Sequence, residues 1–296
     1  MKRRIVVSLL VAAIAAVNLT GCQKSVQAGS DGAEVLSGDI TVISREEGSG
    51  TRGAFVELIG IEEKIDGEKV DQTTPDAQIT NSTSVMMTTV AEDENALGYI
   101  SLGSLNDTVK AIKVDGAAAT EENIKKGTYK VARPFNVVRK EGNKNAVVDD
   151  FIDFIYSEDG QALVSDNGYI PTLESVVFES AKPKGKAVIG GSSSVSPLME
   201  KLIEAYQTIN PQASLELQTT DSTTGVSSTL DGSYDLGMAS REIKAEEINK
   251  GAIPLAIATD GIAVIVNKRN SLEDITSTDL RAIYVGEILA WDEIVR

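Results

Sequence analysis

From Asp39 onward, short β-rich segments alternate with Ser/Thr/Gly-rich turns and with helical segments. The strand candidates are ITVIS, LGYISL, FNVVR, AVIGG, SLELQ, DLGMAS and IAVIVN. The segments AVVDDFIDFIYSEDGQALV and SPLMEKLIEAYQTI are typical of helices because their apolar residues recur at helical spacing. Strands that alternate with helices in this way predict an α/β fold with largely parallel sheets.

The first residues indicate export from the cytoplasm. A basic start, MKRR, precedes the apolar run IVVSLLVAAIAAV, and LTGC follows at 19–22. This layout is typical of a secretory signal peptide, and LTGC resembles the lipobox of bacterial lipoproteins, in which the cysteine carries lipid. We therefore expect a signal peptide over residues 1–21 and a lipid anchor with a flexible tether over 22–38. Lipid on Cys22 would hold an extracytoplasmic protein at the cell membrane.

The composition excludes several classes of site. The chain has 296 residues, no histidine and a single cysteine. It can therefore form neither a Ser-His-Asp triad, nor a Cys/His metal site of the usual spacing, nor an internal disulfide. We predict no catalytic residue, no metal and no cofactor. The formal net charge of −16 repels nucleic acid at long range, so nucleic acid is not expected as a partner, and any anion site must be built from local, directed donors.

Four strand-to-helix turns are rich in serine, threonine and glycine: REEGSGTR, TNSTSV, GGSSSVSP and TTDSTTG. The first amides of a helix lack partners within the helix, and the helix dipole makes this end positive. Several such ends that converge could bind a small tetrahedral oxyanion, and Arg45 and Arg52 flank one of them. Each turn taken alone is also an ordinary helix cap. GSGTR lacks the spacing and the lysine of a Walker A loop, and it is not a dinucleotide fingerprint.

Taken together, these segments resemble one family. SREEGSGTRGAF, GGSSSVSPLMEKL, DLGMASREIK, IATDGIAVIVN, NALGYISLG and FIDFIYSEDGQALVSDNGYIP are similar to segments of the PstS family, the phosphate-binding proteins of bacterial ABC phosphate importers. The resemblance covers nearly all of the chain from Asp39 to Arg296. It implies a two-lobed periplasmic-binding-protein type II fold, each lobe a mixed sheet flanked by helices. Inorganic phosphate would bind in the cleft, the lobes would close by hinge motion near 110–114 and IAVIVN, and the membrane subunits of an ABC permease would receive the ligand.

The resemblance also implies which residues bind phosphate. Arg45 corresponds to the phosphate-binding arginine of the family, and Glu47 corresponds to the acid that supports this arginine. The other phosphate-binding residues that the resemblance implies are Ser49, Gly50, Thr51, Ser193, Ser194, Ser222, Ser240, Arg241 and Asp260.

One motif departs from part of the family. Some members place an aspartate after the serine of the DxGxS strand, where it accepts the proton of hydrogen phosphate, whereas this chain has Arg241 after Ser240. A guanidinium only donates hydrogen bonds, so the acceptor must lie elsewhere, with Asp260 the first candidate and Asp221 and Glu46 the next. The missing acid leaves open a receptor for another oxyanion, such as sulfate or molybdate. A sensor or surface-interaction protein on the same fold is a further alternative.

The order of the segments departs from the family as well. The segments from GGSSSVSPL to IAVIVN normally precede REEGSGTR, but here they follow it. The chain therefore reads as a circular permutant in which SAKPKGKAV joins the usual ends. Lobe one would comprise 109–267 and lobe two 39–108 plus 268–296, with WDEIVR near Asp39. The alternatives are the middle of a tandem array or a truncated gene, whose lobe pieces would pair between chains.

Overall fold

Strands and helices alternate along the chain as predicted, and the fold is α/β. The computed structural model describes residues 37–172 and 177–294. Its strands are β1 (Thr41–Arg45), β2 (Glu62–Ile65), β3 (Glu68–Asp71), β4 (Gln78–Thr80), β5 (Ala96–Ser101), β6 (Lys110–Ala111), β7 (Lys113–Val114), β8 (Ala132–Lys140), β9 (Gly185–Ser192), β10 (Ala213–Thr220), β11 (Leu236–Ala239), β12 (Ala252–Val266) and β13 (Asp274–Ile275). Its α-helices are α1 (Gly50–Ile59), α2 (Thr83–Glu92), α3 (Glu121–Lys125), α4 (Ala146–Ile155), α5 (Glu158–Asp166), α6 (Ser196–Ile209), α7 (Ser222–Asp231), α8 (Ala245–Asn249) and α9 (Ser277–Tyr284).

Most of the strands join one mixed sheet in the order β10-β9-β11-β8-β12-β5-β1-β4, and β6 also pairs with β12. At one end β9 is parallel to β10 and β11, and at the other end β1 is parallel to β4 and β5. Between these groups, β8 and β12 are antiparallel to each other and to their outer neighbours. The expectation of largely parallel sheets is therefore right for the outer strands and wrong for the central pair.

The buried apolar side chains form two sets. The middle core draws its members from residues 135–258, and the end core draws its members from 42–131 and 262–294. The main chain passes between the two cores twice, at 131–135 and at 258–262. These crossings lie in the paired strands β8 and β12, so the antiparallel centre of the sheet connects the two cores.

The predicted lobe boundaries at 109 and 267 do not coincide with this division. Ile112, Val114 and Tyr129 pack in the end core, in the same cluster as Trp291. The division of the chain into lobes stays a prediction, and the packing favours the crossings at 131–135 and 258–262 as its boundaries.

The segment predicted as one helix over 146–164 is two helices. α4 ends at Ile155, and α5 begins after Ser157, whose hydroxyl accepts a hydrogen bond from Gly160 N. Gly160 packs directly on the last turn of α4, where a Cβ atom would lie 2.2 Å from the carbonyl oxygen of Phe154. The serine cap and the close approach of glycine therefore explain the break.

Residues near the two ends of the described chain pair with each other. Asp39 forms an isolated antiparallel bridge with Ala290. Ile40 N donates to Leu289 O at 2.7 Å, and Trp291 N donates to Gly38 O at 3.1 Å. The predicted proximity of WDEIVR to Asp39 is confirmed for the described part of that segment.

The helices over 37–172 and 177–294 include none with the length and apolar character needed to cross a bilayer. The predicted signal peptide and Cys22 lie outside the described residues.

Candidate anion-binding site

Four helices begin at the ends of parallel strands, in the turns that the sequence singles out. α1 follows β1, α2 follows β4, α6 follows β9 and α7 follows β10. Side-chain oxygens of Ser49, Ser82 and Asp221 accept hydrogen bonds from the first amides of α1, α2 and α7. Because β1 lies beside β4 and β9 lies beside β10, the helix starts lie in two neighbouring pairs, one on each side of the sheet centre.

Buried hydroxyl groups from both sides meet between these helix starts. Thr51 Oγ1 lies 2.8 Å from Ser194 Oγ, and Thr83 Oγ1 lies 3.2 Å from the same atom. These contacts join α1 and α2 to the turn before α6. We call the whole group, in which each residue is at most 8% exposed, the hydroxyl cluster: Thr51, Thr83, Ser192, Ser193, Ser194, Ser222 and Ser240.

Ser240 connects the members of the cluster. Its hydroxyl accepts from Ser192 Oγ at 2.9 Å and lies 3.3 Å from Thr51 Oγ1, and its amide donates to Ser222 Oγ at 3.0 Å. Gly50 packs against the same groups, since a Cβ atom there would lie 2.3 Å from Ser222 Oγ and 2.9 Å from Ser240 Oγ. Only glycine allows the start of α1 to approach this closely.

Arg45, the last residue of β1, is buried at one end of the cluster. Its Nη2 donates to Ser193 Oγ at 3.2 Å. Its Nε and Nη2 also donate to the two carboxylate oxygens of Glu46, at 2.7 and 2.6 Å. This bidentate pair fixes the plane of the guanidinium. Glu46 therefore holds Arg45 in this structure, whereas Glu47, the predicted supporting acid, lies in the turn at 47–48 and is exposed to solvent.

The backbone at the end of β1 is held by a buried tyrosine. The Tyr99 hydroxyl accepts from Arg45 N at 3.2 Å and lies 2.9 Å from Ser44 Oγ. Its ring stacks on Phe55 of α1 with centroids 4.0 Å apart. Burial raises the pKa of Tyr99 to about 12, although hydrogen bonds from Ser44 and Arg45 oppose the shift. The phenol therefore stays neutral at physiological pH, and its hydroxyl positions the backbone amide of Arg45.

Arg133 is a site residue that the sequence analysis missed. It lies in β8, and its Nη2 donates to Thr51 Oγ1 at 2.9 Å while its Nε donates to Ser240 O at 2.8 Å. Its Nη1 donates to Asp260 Oδ2 at 2.7 Å. Burial lowers the pKa of Arg133 and raises the pKa of Asp260, and the attraction between the two charges opposes both shifts. An arginine inside the mostly apolar segment ARPFNVV was the available signal, because a buried charge needs a partner.

Asp260, which is predicted to bind phosphate, is paired with Arg133. Its Oδ2 accepts from Arg133 and its Oδ1 accepts from Gly103 N at 3.3 Å, so Arg133 lies between Asp260 and the hydroxyls. Asp221 caps α7, and Glu46 binds Arg45. Among the contacts of the described residues, none of these three candidate proton acceptors touches a hydroxyl of the cluster.

Arg241, another residue predicted to bind phosphate, pairs with an acid of α8. Its two terminal nitrogens each donate to a carboxylate oxygen of Glu247 at 2.8 Å. The side chain lines a cleft of about 810 Å³, together with Gly53, Lys69 and Lys244. In the described part of the chain, Arg241 has no hydrogen bond to the hydroxyl cluster, because Glu247 of α8 takes both sides of its guanidinium.

Thr83 and Ser192 belong to the cluster but were not predicted. TNSTSV was recognised as a strand-to-helix turn, but its inward-facing hydroxyl depends on α2 beginning at Thr83. Ser192 is the last residue of β9 and donates to Ser240, 48 positions away. Neither the inward orientation of Thr83 nor the contact of Ser192 with Ser240 can be predicted from the local sequence alone.

A family model described as a PBP superfamily domain matches residues 30–159 and 176–295. The chain is 50% identical over 277 residues to Phosphate-binding protein PstS 2 of Streptococcus agalactiae. This alignment covers 93% of this chain and 92% of that protein. It is 40% identical over 295 residues to Phosphate-binding protein PstS 2 of Streptococcus pneumoniae, covering 99% of this chain and 100% of that protein. A crystal structure of a phosphate-binding protein of a phosphate ABC transporter, also from Streptococcus pneumoniae, matches with a TM-score of 0.69 and 42% identity, covering 87% of this chain and 100% of that chain. The chain therefore belongs to the PBP superfamily and, within it, to the PstS family of phosphate-binding proteins.

Proposed function

We propose that the hydroxyl cluster binds inorganic phosphate and that the protein delivers this phosphate to the membrane subunits of an ABC importer. The observation that carries the proposal is the convergence of four helix starts and seven buried hydroxyls on one point beside Arg45. The names of the Streptococcus relatives, which are phosphate-binding proteins, support the choice of ligand.

The site suits an anion although the chain as a whole is acidic. Arg45 is paired with Glu46, so the added stabilisation comes chiefly from hydroxyls, helix-start amides and helix dipoles. These donors are already oriented by the fold, so little reorganisation is needed when the anion replaces its water shell with protein. Phosphate would exchange the hydroxyl–hydroxyl contacts for hydrogen bonds to a charged acceptor, which are stronger.

The side chains of the hydroxyl cluster favour binding of an anion over catalysis. The cluster offers donors on every side and, among the described residues, no acidic or histidine side chain in contact with its hydroxyls. Closure of two lobes about the crossings at 131–135 and 258–262 would enclose the anion. Opening of the same crossings would release it to the permease.

We place the protein at the outer surface of the cell membrane through lipid on Cys22. The lipobox-like LTGC and the polar tether over 22–38 support this placement. A tether of that composition would let the folded part reach a neighbouring permease.

We also propose that the segment order is a circular permutation of the usual PstS order. The pairing of Asp39 with Ala290 supports it, because segments near the two ends of the described chain are then neighbours in the fold. The proposed connector, SAKPKGKAV, is hydrogen-bonded to α4. The Asp150 carboxylate accepts from Ser180 Oγ at 2.6 Å and from Ala181 N at 2.8 Å.

Another oxyanion, such as sulfate, is the second candidate. It is favoured by one observation, namely that the three carboxylates considered as proton acceptors do not touch the cluster. A fully deprotonated dianion needs no acceptor, whereas hydrogen phosphate must donate its proton to a hydroxyl oxygen.

Titration calorimetry on the full chain, purified in detergent and freed of bound anion, separates these candidates. We expect saturable one-to-one binding of phosphate that excess sulfate does not displace. Binding of sulfate in preference to phosphate would replace the first proposal with the second. No binding of either anion would overturn both and favour a sensor or surface-interaction protein.

A further inference from the structure

Arg133 and Asp260 lie at the two crossings between the cores. The last member of the end core before the first crossing is Val131 and the first member of the middle core after it is Phe135. At the second crossing, Asp260 lies between Ala258, a member of the middle core, and Ile262, a member of the end core. The two charged residues are direct cross-strand partners in the antiparallel pairing of β8 and β12. The register of this pairing therefore places one ion pair where both crossings meet.

The guanidinium of Arg133 contacts both sides of the hydroxyl cluster. Thr51, its acceptor at 2.9 Å, lies in the first turn of α1 on the side of the end core, and Ser240 O, its acceptor at 2.8 Å, follows β11 on the side of the middle core. The side chain is held from behind by Asp260 and by the Phe135 ring, whose centroid lies 5.1 Å from Arg133 Cζ. The guanidinium is thus fixed in orientation at the cluster.

One N–H group of Arg133 is left over. Nη2 carries two hydrogens, of which one is used by Thr51 Oγ1. Across residues 37–172 and 177–294, Nη2 has Thr51 Oγ1 as its one acceptor, and Arg133, which is 4% exposed, also lines the cleft beside Lys69 and Lys244. A buried donor without an acceptor is costly. Its parent nitrogen lies within hydrogen-bond distance of Thr51, which itself contacts Ser194 and Ser240.

We propose that Arg133 is a second anion-binding guanidinium, at the other end of the hydroxyl cluster from Arg45, and that Asp260 neutralises it when no anion is bound. The proposal rests on the proposed function, because it names a further ligand-contacting residue of the same site. The anion supplies the missing acceptor for Nη2. Arg133 also joins the two cores through this contact, so it favours the closed arrangement when the anion is present.

A purely structural role for Arg133 gives a different pattern. In that case Arg133 and Asp260 would stabilise the fold as a pair, and loss of either one would act on anion binding equally or not at all. If Arg133 binds the anion, loss of Arg133 weakens binding and loss of the Asp260 charge does not. Loss of Arg133 removes a charge-assisted bond, whereas loss of the Asp260 charge removes a repulsion and leaves Arg133 held by Ser240 O and Gly261 O.

The test is a phosphate titration of the full chain and of four variants, with urea unfolding of each variant without ligand. Arg133→Met is expected to weaken phosphate binding roughly ten- to a hundred-fold, and Arg133→Lys several-fold, because lysine keeps the charge and loses the fork. Asp260→Asn is expected to lower the unfolding midpoint without weakening binding. Arg139→Met is the matched control, since Arg139 lies on the same strand and pairs with Asp149 away from the cluster.

Each outcome separates the two proposals. A wild-type chain that binds no phosphate contradicts the proposed function itself. Wild-type binding together with an Arg133→Met affinity within twofold of wild type overturns the role of Arg133 alone. So does an Asp260→Asn variant that loses as much affinity as Arg133→Met. If Arg133→Met fails to fold, Arg133→Lys decides, and unchanged affinity in that variant overturns the proposal.

Discussion

A methyl group at Gly50 would test whether the two sides of the site must close on each other to bind the anion. A Cβ atom at Gly50 would lie 2.3 Å from Ser222 Oγ, whereas ordinary contacts begin at 3.4 Å. Gly50→Ala therefore requires a shift of about 1.1 Å, the difference between these two distances, either of the Ser222 hydroxyl or of the start of α1 relative to the start of α7. Neither core is disturbed, so the variant is expected to fold.

The size of the effect follows from this displacement. If the two sides move apart as rigid bodies, the 2.8 Å contact between Thr51 and Ser194 opens to about 3.9 Å, beyond hydrogen-bond range. An anion can then not reach donors on both sides at once. Loss of two hydrogen bonds to a charged acceptor costs about 3–6 kcal/mol. Phosphate binding by Gly50→Ala should therefore be weaker by roughly a hundred- to ten-thousand-fold.

Gly53→Ala is the matched control in the same helix. A Cβ atom at Gly53 would meet only Arg241 Cδ, at 3.9 Å, which is an ordinary contact. The substitution should stabilise α1 by about 0.5–1 kcal/mol and leave phosphate affinity within threefold. Calorimetric titration with phosphate and urea unfolding without it measure both quantities. Affinity of Gly50→Ala within tenfold of wild type would refute the reasoning, and so would an equal loss in Gly53→Ala.

Two further predictions concern the ion pairs. Glu46→Ala frees the Arg45 guanidinium from its bidentate partner and should weaken phosphate binding about tenfold, whereas Glu47→Ala should leave the affinity within twofold; the reverse ranking in calorimetry would contradict the geometry. Burial alone would raise the pKa of Glu247, but hydrogen bonds from Arg241 and a backbone amide outweigh it and lower the pKa below 4.5. The stability from ionised Glu247 is therefore present above pH 4.5 and is lost as the pH falls through the lowered pKa. Urea unfolding of Glu247→Gln and wild type should show a stability gap at pH 7 that closes below pH 4.5, and a gap independent of pH would contradict the assignment.

The strands could be predicted where apolar, β-branched residues cluster. Each of the predicted segments, from ITVIS to IAVIVN, lies within an observed strand or overlaps one. The hairpin of β2 and β3 was missed because its residues, EEKIDGEKVD, are mostly charged and exposed. Its signal was the Asp66–Gly67 pair, which has positive φ at both residues and favours a type I′ turn.

The turns of the site could be predicted because their chemistry is local. Ser49, Thr51, Ser194 and Ser222 lie at helix starts that short motifs identify. The charged pairs could not be predicted, because Arg133 and Asp260 are 127 positions apart and meet only through the register of β8 and β12. That register includes a shift between Ala256 and Ala258, which no local pattern indicates.

A crystal structure of the full chain with phosphate would test the central claim most directly. We predict one phosphate inside the hydroxyl cluster, with oxygens within hydrogen-bond distance of Thr51 and Ser194 and with Arg45 and Arg133 at its two ends. Phosphate bound instead in the cleft beside Lys69 and Lys244, with the contacts among the hydroxyls unchanged, would contradict the account.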